Sequence, residues 1–302
     1  MLDVLVIGSG PAGLSAAIYA KRANLDVLVV EKEYMGTGQI AESRQVDNYL
    51  GLVGKSGYDL GEAFLEDAGK LGVDFYEGEA VQYEKTDFGW KVYFDNDEFL
   101  ETKTVIYCAG AIHRPLGLSE ESTYAGKGIS YCAVCDGAFY KDKVTAVVGG
   151  GDTALDDALY LSEICKKVYL IHRRSEFRGS ASTLETIKQK ENIELVTNAK
   201  IASVAGTNKV ETIVLNNERT ISVDGIFVAI GMVPQTETLK NLLDLDKNGY
   251  IVADETGKTS APGFFAAGDV RTKQLRQVVT AVSDGANAAC SAADYIRKYN
   301  SI

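Results

Sequence analysis

Apolar positions along the chain gather into short runs separated by glycine turns, and one arrangement of these runs occurs twice. Near the start, Asp3-Val4-Leu5-Val6-Ile7 has the pattern of a short buried strand. Gly8-Ser9-Gly10-Pro11-Ala12-Gly13 follows and opens a helical run from Leu14 to Ala23. A second apolar strand, Val27 to Val30, ends on Glu31 and completes a βαβ unit. The same order returns at Val144 to Val148, Gly149-Gly150-Gly151-Asp152-Thr153-Ala154, a helical segment Leu155 to Ile164 and a strand Val168 to Ile171. His172-Arg173-Arg174 closes this copy, where an acid closes the first. Between the copies, Gly57 to Leu71 predicts an amphipathic helix, Phe75 to Phe99 short strands with a turn at Asp95-Asn96-Asp97, and Val105 to Gly110 an apolar strand. Beyond them, Ile193 to Val196, Val210 to Leu215 and Gly225 to Ala229 predict strands. Phe264 to Asp269 predicts a strand entering a Gly-Asp turn, and Val278 to Tyr295 a long helix of small residues.

A lone GxGxxG says little. Here each copy follows a strand, opens a helix and meets a second strand about 20 residues on, the setting of a dinucleotide fingerprint. The first glycine permits the tight turn and the second lets the backbone approach a pyrophosphate. The third, or Ala154 in the second copy, allows close helix packing. The phosphates then lie at a helix N-terminus, where free N–H groups and the dipole favour negative charge. The closing residues separate the two sites. Glu31 can accept hydrogen bonds from a ribose 2′-OH and repels a 2′-phosphate, which suits FAD; Arg173, Arg174 and Arg178 suit the 2′-phosphate of NADPH. Taken singly, Glu31 has a lesser reading as a solvated strand end and the arginines as a basic surface patch; both at the fingerprint's expected position favour nucleotide binding.

The 302 residues carry 31 Lys plus Arg against 42 Asp plus Glu, a net charge of -11, so nucleic acid and anionic membranes are not expected partners. No window of about 18 residues is free of charge and turn residues. Met1 leads into the first strand with no basic leader, and a cytoplasmic protein is expected. The length suggests two domains. Five cysteines are too few and too odd in number for a disulfide framework, and only Cys132-Ala133-Val134-Cys135 is closely spaced. Two intervening residues let both sulfurs close a disulfide and hold the reduced thiols ready for exchange. Asp136, next in sequence, is the nearest group able to take and return a proton. Zinc is the main competing reading, but there is no second Cys pair and the histidines are only His113 and His172, so no metal site is expected. A thioredoxin domain would lack paired fingerprints. Cys108, Cys165 and Cys290 fall in apolar patterns as inert core residues, His113 is a loop or linker residue, and Trp90 and the tyrosines are packing.

With Ser130-Tyr131-Cys132-Ala133-Val134-Cys135-Asp136-Gly137, Phe177-Arg178, Gly231-Met232-Val233-Pro234 and Gly268-Asp269-Val270 followed by Arg276-Gln277, the chain resembles the low-molecular-weight, bacterial-type thioredoxin reductases over essentially its whole length. These belong to the FAD/NADPH pyridine nucleotide-disulfide oxidoreductases. The resemblance implies an α/β fold of two Rossmann-like, three-layer ββα nucleotide-binding domains. A discontinuous FAD domain would comprise 1–112 and 240–302, with an NADPH domain over 115–239 inserted in it. It implies a homodimer and thioredoxin or a similar small dithiol protein as partner. It makes Cys135 the flavin-facing sulfur, Cys132 the one that attacks the partner disulfide, and Asp136 the acid/base. It places Gly8, Gly10, Pro11, Ala12, Gly13, Glu31, Gln39, Asn48, Gly110, Asp269, Arg276 and Gln277 at FAD. Gly149, Gly151, Asp152, Thr153, His172, Arg173, Arg174 and Arg178 fall at NADPH. An Asp placed like Asp269 is otherwise most often an N-cap. Rotation of the inserted domain would make the segments near Ile112 to Leu116 and Pro234 to Leu239 hinges. Three places depart from the family pattern: Gly36-Thr37-Gly38-Gln39 for Gly-Gly-Gln, Leu50 where proline is common, and Asp156 for Glu. The rivals are a flavin disulfide reductase fed by ferredoxin or a deazaflavin, a flavin or ferredoxin–NADP reductase, and a dinucleotide-binding redox sensor that does not turn over. The arginine cluster disfavours the first and the Cys pair the second.

Overall fold

β1 (Leu2–Ile7) is central because both its faces are apolar: Val4, Leu5 and Val6 are fully buried. α1 (Pro11–Arg22) starts on a proline, whose missing N–H costs nothing at the first helical position, and ends on Lys21 and Arg22, which suit its negative pole. It returns the chain to β2 (Val27–Glu31), parallel to β1 in the register Val4 to Val27. α2 (Gly57–Lys70) is capped by Ser56 Oγ, which accepts from Asp59 N at 3.0 Å. β3 (Asp74–Glu77), β4 (Ala80–Thr86), β5 (Gly89–Phe94) and β6 (Phe99–Tyr107) complete the order β3-β2-β1-β6-β5-β4. The first half of β6 pairs antiparallel with β5 and alternates in burial; only its second half is the continuous apolar run expected at Val105.

β7 (Ala111–His113) leads into the second unit. This holds α3 (Glu121–Tyr124), β8 (Ile129–Ser130), α4 (Ala133–Asp136), β9 (Val144–Gly149), α5 (Asp152–Ser162), β10 (Lys167–Ile171), α6 (Ala181–Lys188) and β11 (Ile193–Val196). β12 (Ile201–Ala205), β13 (Thr212–Leu215), β14 (Thr220–Ser222) and β15 (Gly225–Ala229) follow. Its five-stranded parallel sheet has the order β11-β10-β9-β15-β8, beside an antiparallel β12-β13-β14 sheet. β16 (Met232–Pro234) pairs with β7 as the chain returns. β17 (Phe264–Ala266) adds parallel to the end of β6, and α7 (Val278–Tyr299) packs on α1.

The computed structural model describes residues 1–32, 37–43 and 45–299. They fall into two units, Met1–Ile112 with Val233–Ile302, and His113–Met232. The first unit resumes at Val233, earlier than position 240, because Gln235 N donates to Gly110 O at 3.0 Å, Tyr107 hydroxyl donates to Gln235 O at 2.7 Å, and Leu239 is fully buried in its core. Gly36 lies outside the described residues. Among those residues no helix is long and apolar enough to cross a membrane. Cys108 and Cys165 are core residues, and burial pushes both thiols up. Cys290 corrects the expectation of a third inert core cysteine: it is exposed, on a face of α7 turned away from the buried Ala288, Ala289, Ala292 and Ile296. Trp90 is 2% exposed, edge-on to Phe264 at 5.1 Å.

Candidate active site

The two glycine turns share one steric layout. A Cβ on Gly8, whose φ is +102°, would lie 2.6 Å from Cys108 O; on Gly13 it would lie 1.8 Å from Gly8 O. On Gly149 it would lie 2.3 Å from Ala229 O, and the buried Ala154 fills the position matching Gly13. The middle glycines differ. A Cβ on Gly10 finds nothing nearer than Thr37 O at 3.8 Å, and on Gly151 nothing within 4 Å. Protein atoms thus demand the outer small residues, while the inner ones face open space at the starts of α1 and α5, neither of which has a side-chain cap. Both cradles fit a pyrophosphate.

In the first unit, Glu31 Oε2 accepts from Ser9 N at 2.8 Å and Ser9 Oγ at 2.9 Å, tying the strand end to the turn. Gly38 approaches Gly10 and brings Gln39 beside the same turn. Asn48 Nδ2 donates to Gln277 Oε1 at 2.9 Å, joining two predicted flavin residues 229 positions apart. Asp269 lies in a tight turn after β17 and caps no helix: its Oδ1 is buried with no partner, and burial raises its pKa. Arg276, over the Tyr250 ring at 4.1 Å, has a buried, unpartnered Nε. Two orphaned polar groups on one segment are what a bound polar cofactor would satisfy. Gly110, with φ +67° and nothing within 4 Å of a Cβ, ends the segment after β6.

In the second unit, Arg173, Arg174, Arg178, Ser175, Phe177 and Asn198 line an open groove of about 470 Å³ with Glu176. His172 does not line it. The ring is 5% exposed, stacks on Phe177 at 4.9 Å, bonds Glu176 O through Nε2 at 3.1 Å, and is where a Cβ on Gly150 would fall, 2.1 Å away. Burial first, then the three arginines, hold its pKa down. His172 therefore shapes the arginine loop from beneath, and Arg178 N helps by donating to Gly150 O at 2.7 Å. Asp152 Oδ1 accepts from Ser180 N at 2.7 Å and so fixes the end of the same loop; Thr153 is exposed beside it.

In that unit Cys132 and Cys135 are joined as a disulfide with Cα atoms 5.3 Å apart, a normal spacing. Cys135 N donates to Cys132 Sγ at 3.2 Å, and Val134 between them is 56% exposed. Ser130, two residues before Cys132, is central to the site. Its Oγ donates to Asp136 Oδ2 at 2.6 Å and accepts from Cys132 N at 3.2 Å, joining carboxylate and sulfur residue through one hydroxyl. His113, at the end of β7, stacks on Tyr131 at 4.8 Å. Among the described residues no group of His, Cys, Asp and Glu is arranged to hold a metal ion.

A fold of two nucleotide turns with one redox pair matches the model for "pyridine nucleotide-disulphide oxidoreductase" over residues 2–285. The chain belongs to this family. A thioredoxin reductase of Listeria monocytogenes is 38% identical, with 98% of this chain and 94% of the relative covered. One of Mycoplasma genitalium is 40% identical, with 97% and 95% covered. A Clostridium pasteurianum relative at 39% is described only as a 34.2 kDa protein in a rubredoxin operon. The crystal structure of thioredoxin reductase from Streptococcus pyogenes superposes with a TM-score of 0.92 at 37% identity, covering 99% of both chains. As a member of the pyridine nucleotide-disulphide oxidoreductases, the chain is an α/β oxidoreductase whose redox-active disulfide is Cys132–Cys135.

Proposed function

We propose that this enzyme reduces the disulfide of thioredoxin, or of a small dithiol protein like it, with electrons that pass from NADPH through FAD to Cys132–Cys135. The observation that carries the reading is the disulfide's place in the same unit as an arginine-flanked nucleotide turn, while the other unit bears an acid-flanked one. The Gly10 turn, Glu31, Asp269 and Arg276 would hold FAD, and the Gly151 turn with Arg173, Arg174 and Arg178 would hold NADPH. Bound there, FAD would supply the two-electron step between a hydride donor and a disulfide.

The chain's own residues do the rest. A hydride and one proton enter, the Cys132–Cys135 bond breaks, and two thiols form. Asp136 holds the proton of this step, with Ser130 directing its carboxylate. Cys132, which the resemblance turns toward the partner, attacks one sulfur of the partner disulfide. Cys135 then displaces the partner as a dithiol and restores the intramolecular bond. The Cys pair and the arginine groove belong to one unit, and rotation of that unit about the connections at β7 and β16 would let each reach the flavin in turn.

The reading is checked by steady-state turnover with NADPH, a thioredoxin and a chromogenic disulfide. Turnover that needs the thioredoxin and is lost in C135S is expected. Turnover supported by reduced ferredoxin or a deazaflavin, with none from NADPH, would favour the alternative donor instead.

A further inference from the structure

The polar cluster that this reaction does not use lies behind the Gly268–Asp269 turn. Asp284, near the start of α7, is 4% exposed, yet its carboxylate meets four donors. Gly268 N reaches Oδ2 at 3.0 Å, Arg271 Nε reaches Oδ2 at 2.8 Å, Arg271 Nη2 reaches Oδ1 at 2.7 Å, and Lys273 Nζ reaches Oδ2 at 2.8 Å. Arg271 is 2% exposed and the Lys273 side chain 5%, so one buried carboxylate faces two buried cations; the exposed Glu255 reaches Arg271 at 3.2 Å. Such a cluster is a poor way to gain stability, because apolar residues of the same volume avoid the desolvation cost. Hydrogen bonds do fix direction, which apolar packing does not.

What the cluster directs is visible in its neighbours. Gly268 precedes Asp269, whose Oδ1 lacks a partner. Arg276, with its own unpartnered Nε, donates through Nη1 to Lys273 O at 3.3 Å and through Nη2 to Arg271 O at 3.2 Å, so its guanidinium rests on the backbone that Asp284 holds. The next residue on α7, Gly285, lies against Ala12 at the start of α1: a Cβ there would come within 2.0 Å of Ala12 O. One turn of α7 therefore touches both the fingerprint helix and the segment that carries both orphaned groups.

We propose that Asp284 is the positioning residue of the dinucleotide site, clamping Gly268, Arg271 and Lys273 from behind so that the free groups of Asp269 and Arg276 are aimed at the bound cofactor. This rests on the FAD reading above. Asp284 touches no reacting atom; it acts through Asp269 and Arg276.

The test measures FAD binding to apoprotein by quenching of flavin fluorescence, with the melting temperature of each apoprotein as a second readout. Wild type is compared with D269A, D284N, D284E and the double variant D269A/D284N. D284N should bind FAD about tenfold more weakly or worse, the scale of one charge-assisted hydrogen bond. D284E keeps the charge but displaces the carboxylate by one methylene; it should also weaken binding, and it decides the matter where D284N fails to fold. The double variant should bind more weakly than D269A alone, but by less than the two single losses combined, because Asp284 acts partly through Asp269 and partly through Arg276. Folded D284N and D284E proteins that bind FAD like wild type would overturn the proposal while a weakened D269A leaves the FAD reading standing. D269A that binds like wild type would overturn both.

Discussion

At Gly10 and Gly13, three residues apart in one turn, the added methyl of alanine should have opposite effects. Gly10 has the extended backbone of any residue, φ −64° and ψ 177°, and open space where a Cβ would be. G10A should fold with an unchanged melting temperature and lose FAD affinity, because the methyl occupies the pyrophosphate's place. G13A puts the methyl 1.8 Å from Gly8 O and should destabilise the apoprotein itself. Thermal melts of the apoproteins alongside fluorescence titrations with FAD separate the two. In the second turn, R173Q/R174Q should raise KM for NADPH by about ten- to a hundredfold at unchanged kcat, with little effect on NADH, as steady-state kinetics would show. The spacing of glycines and arginines was legible from sequence because backbone approach and charge leave few substitute residue types. The inward burial of His172 was not. Its place in a basic run suggested a ligand, whereas the glycine at position 150, which its ring requires, is the signal that it packs inward. Ser130 and Asp284 escaped for a similar reason: a hydroxyl or carboxylate acting on a neighbour carries no spacing rule.

Asp157 belongs to α5, where its position on the helix sets its chemistry. Burial first, and then the charge of Asp156, raise its pKa to about 7. Between the ordinary carboxylate range and about pH 7 the folded chain keeps a proton that the unfolded chain has lost, so stability falls as pH rises across that window and levels off above it. D157N should flatten this decline and raise the melting temperature at pH 8 by a few degrees, as calorimetry between pH 5 and 8 would show. The α1–α7 crossing offers a second test of element packing. G285A would drive its methyl into Ala12 O and should lower thermal stability even without cofactor. Long apolar runs announced β1, β9 and α7. Among the elements that were not foreseen, α6, β12 and β14 are short; α6 has Ile187 as its sole buried residue and β14 has Ile221. The first half of β6 hid because the polar Glu101, Thr102, Lys103 and Thr104 break its apolar run, as suits a strand covered on one face.

Across the whole molecule, two nucleotide turns of opposite closing charge sit on an acidic chain, and the redox pair shares a unit with the basic one. On a chain of bulk charge -11, the arginine groove gathers three positive charges, which suits the proposed phosphorylated donor. The discontinuous order was legible only through the resemblance, since nothing in strand periodicity says which later strand rejoins β6; β17 does so through the register Phe264 to Val105. The relay is tested most directly by anaerobic titration of the FAD-loaded enzyme with NADPH, followed by flavin absorbance and a thiol count. Wild type should consume about two hydride equivalents per chain, one for the flavin and one for the Cys132–Cys135 disulfide, whereas C132S/C135S should consume about one with the flavin still bleached. Equal uptake by the two proteins, or a wild-type flavin that NADPH leaves oxidised, would contradict it.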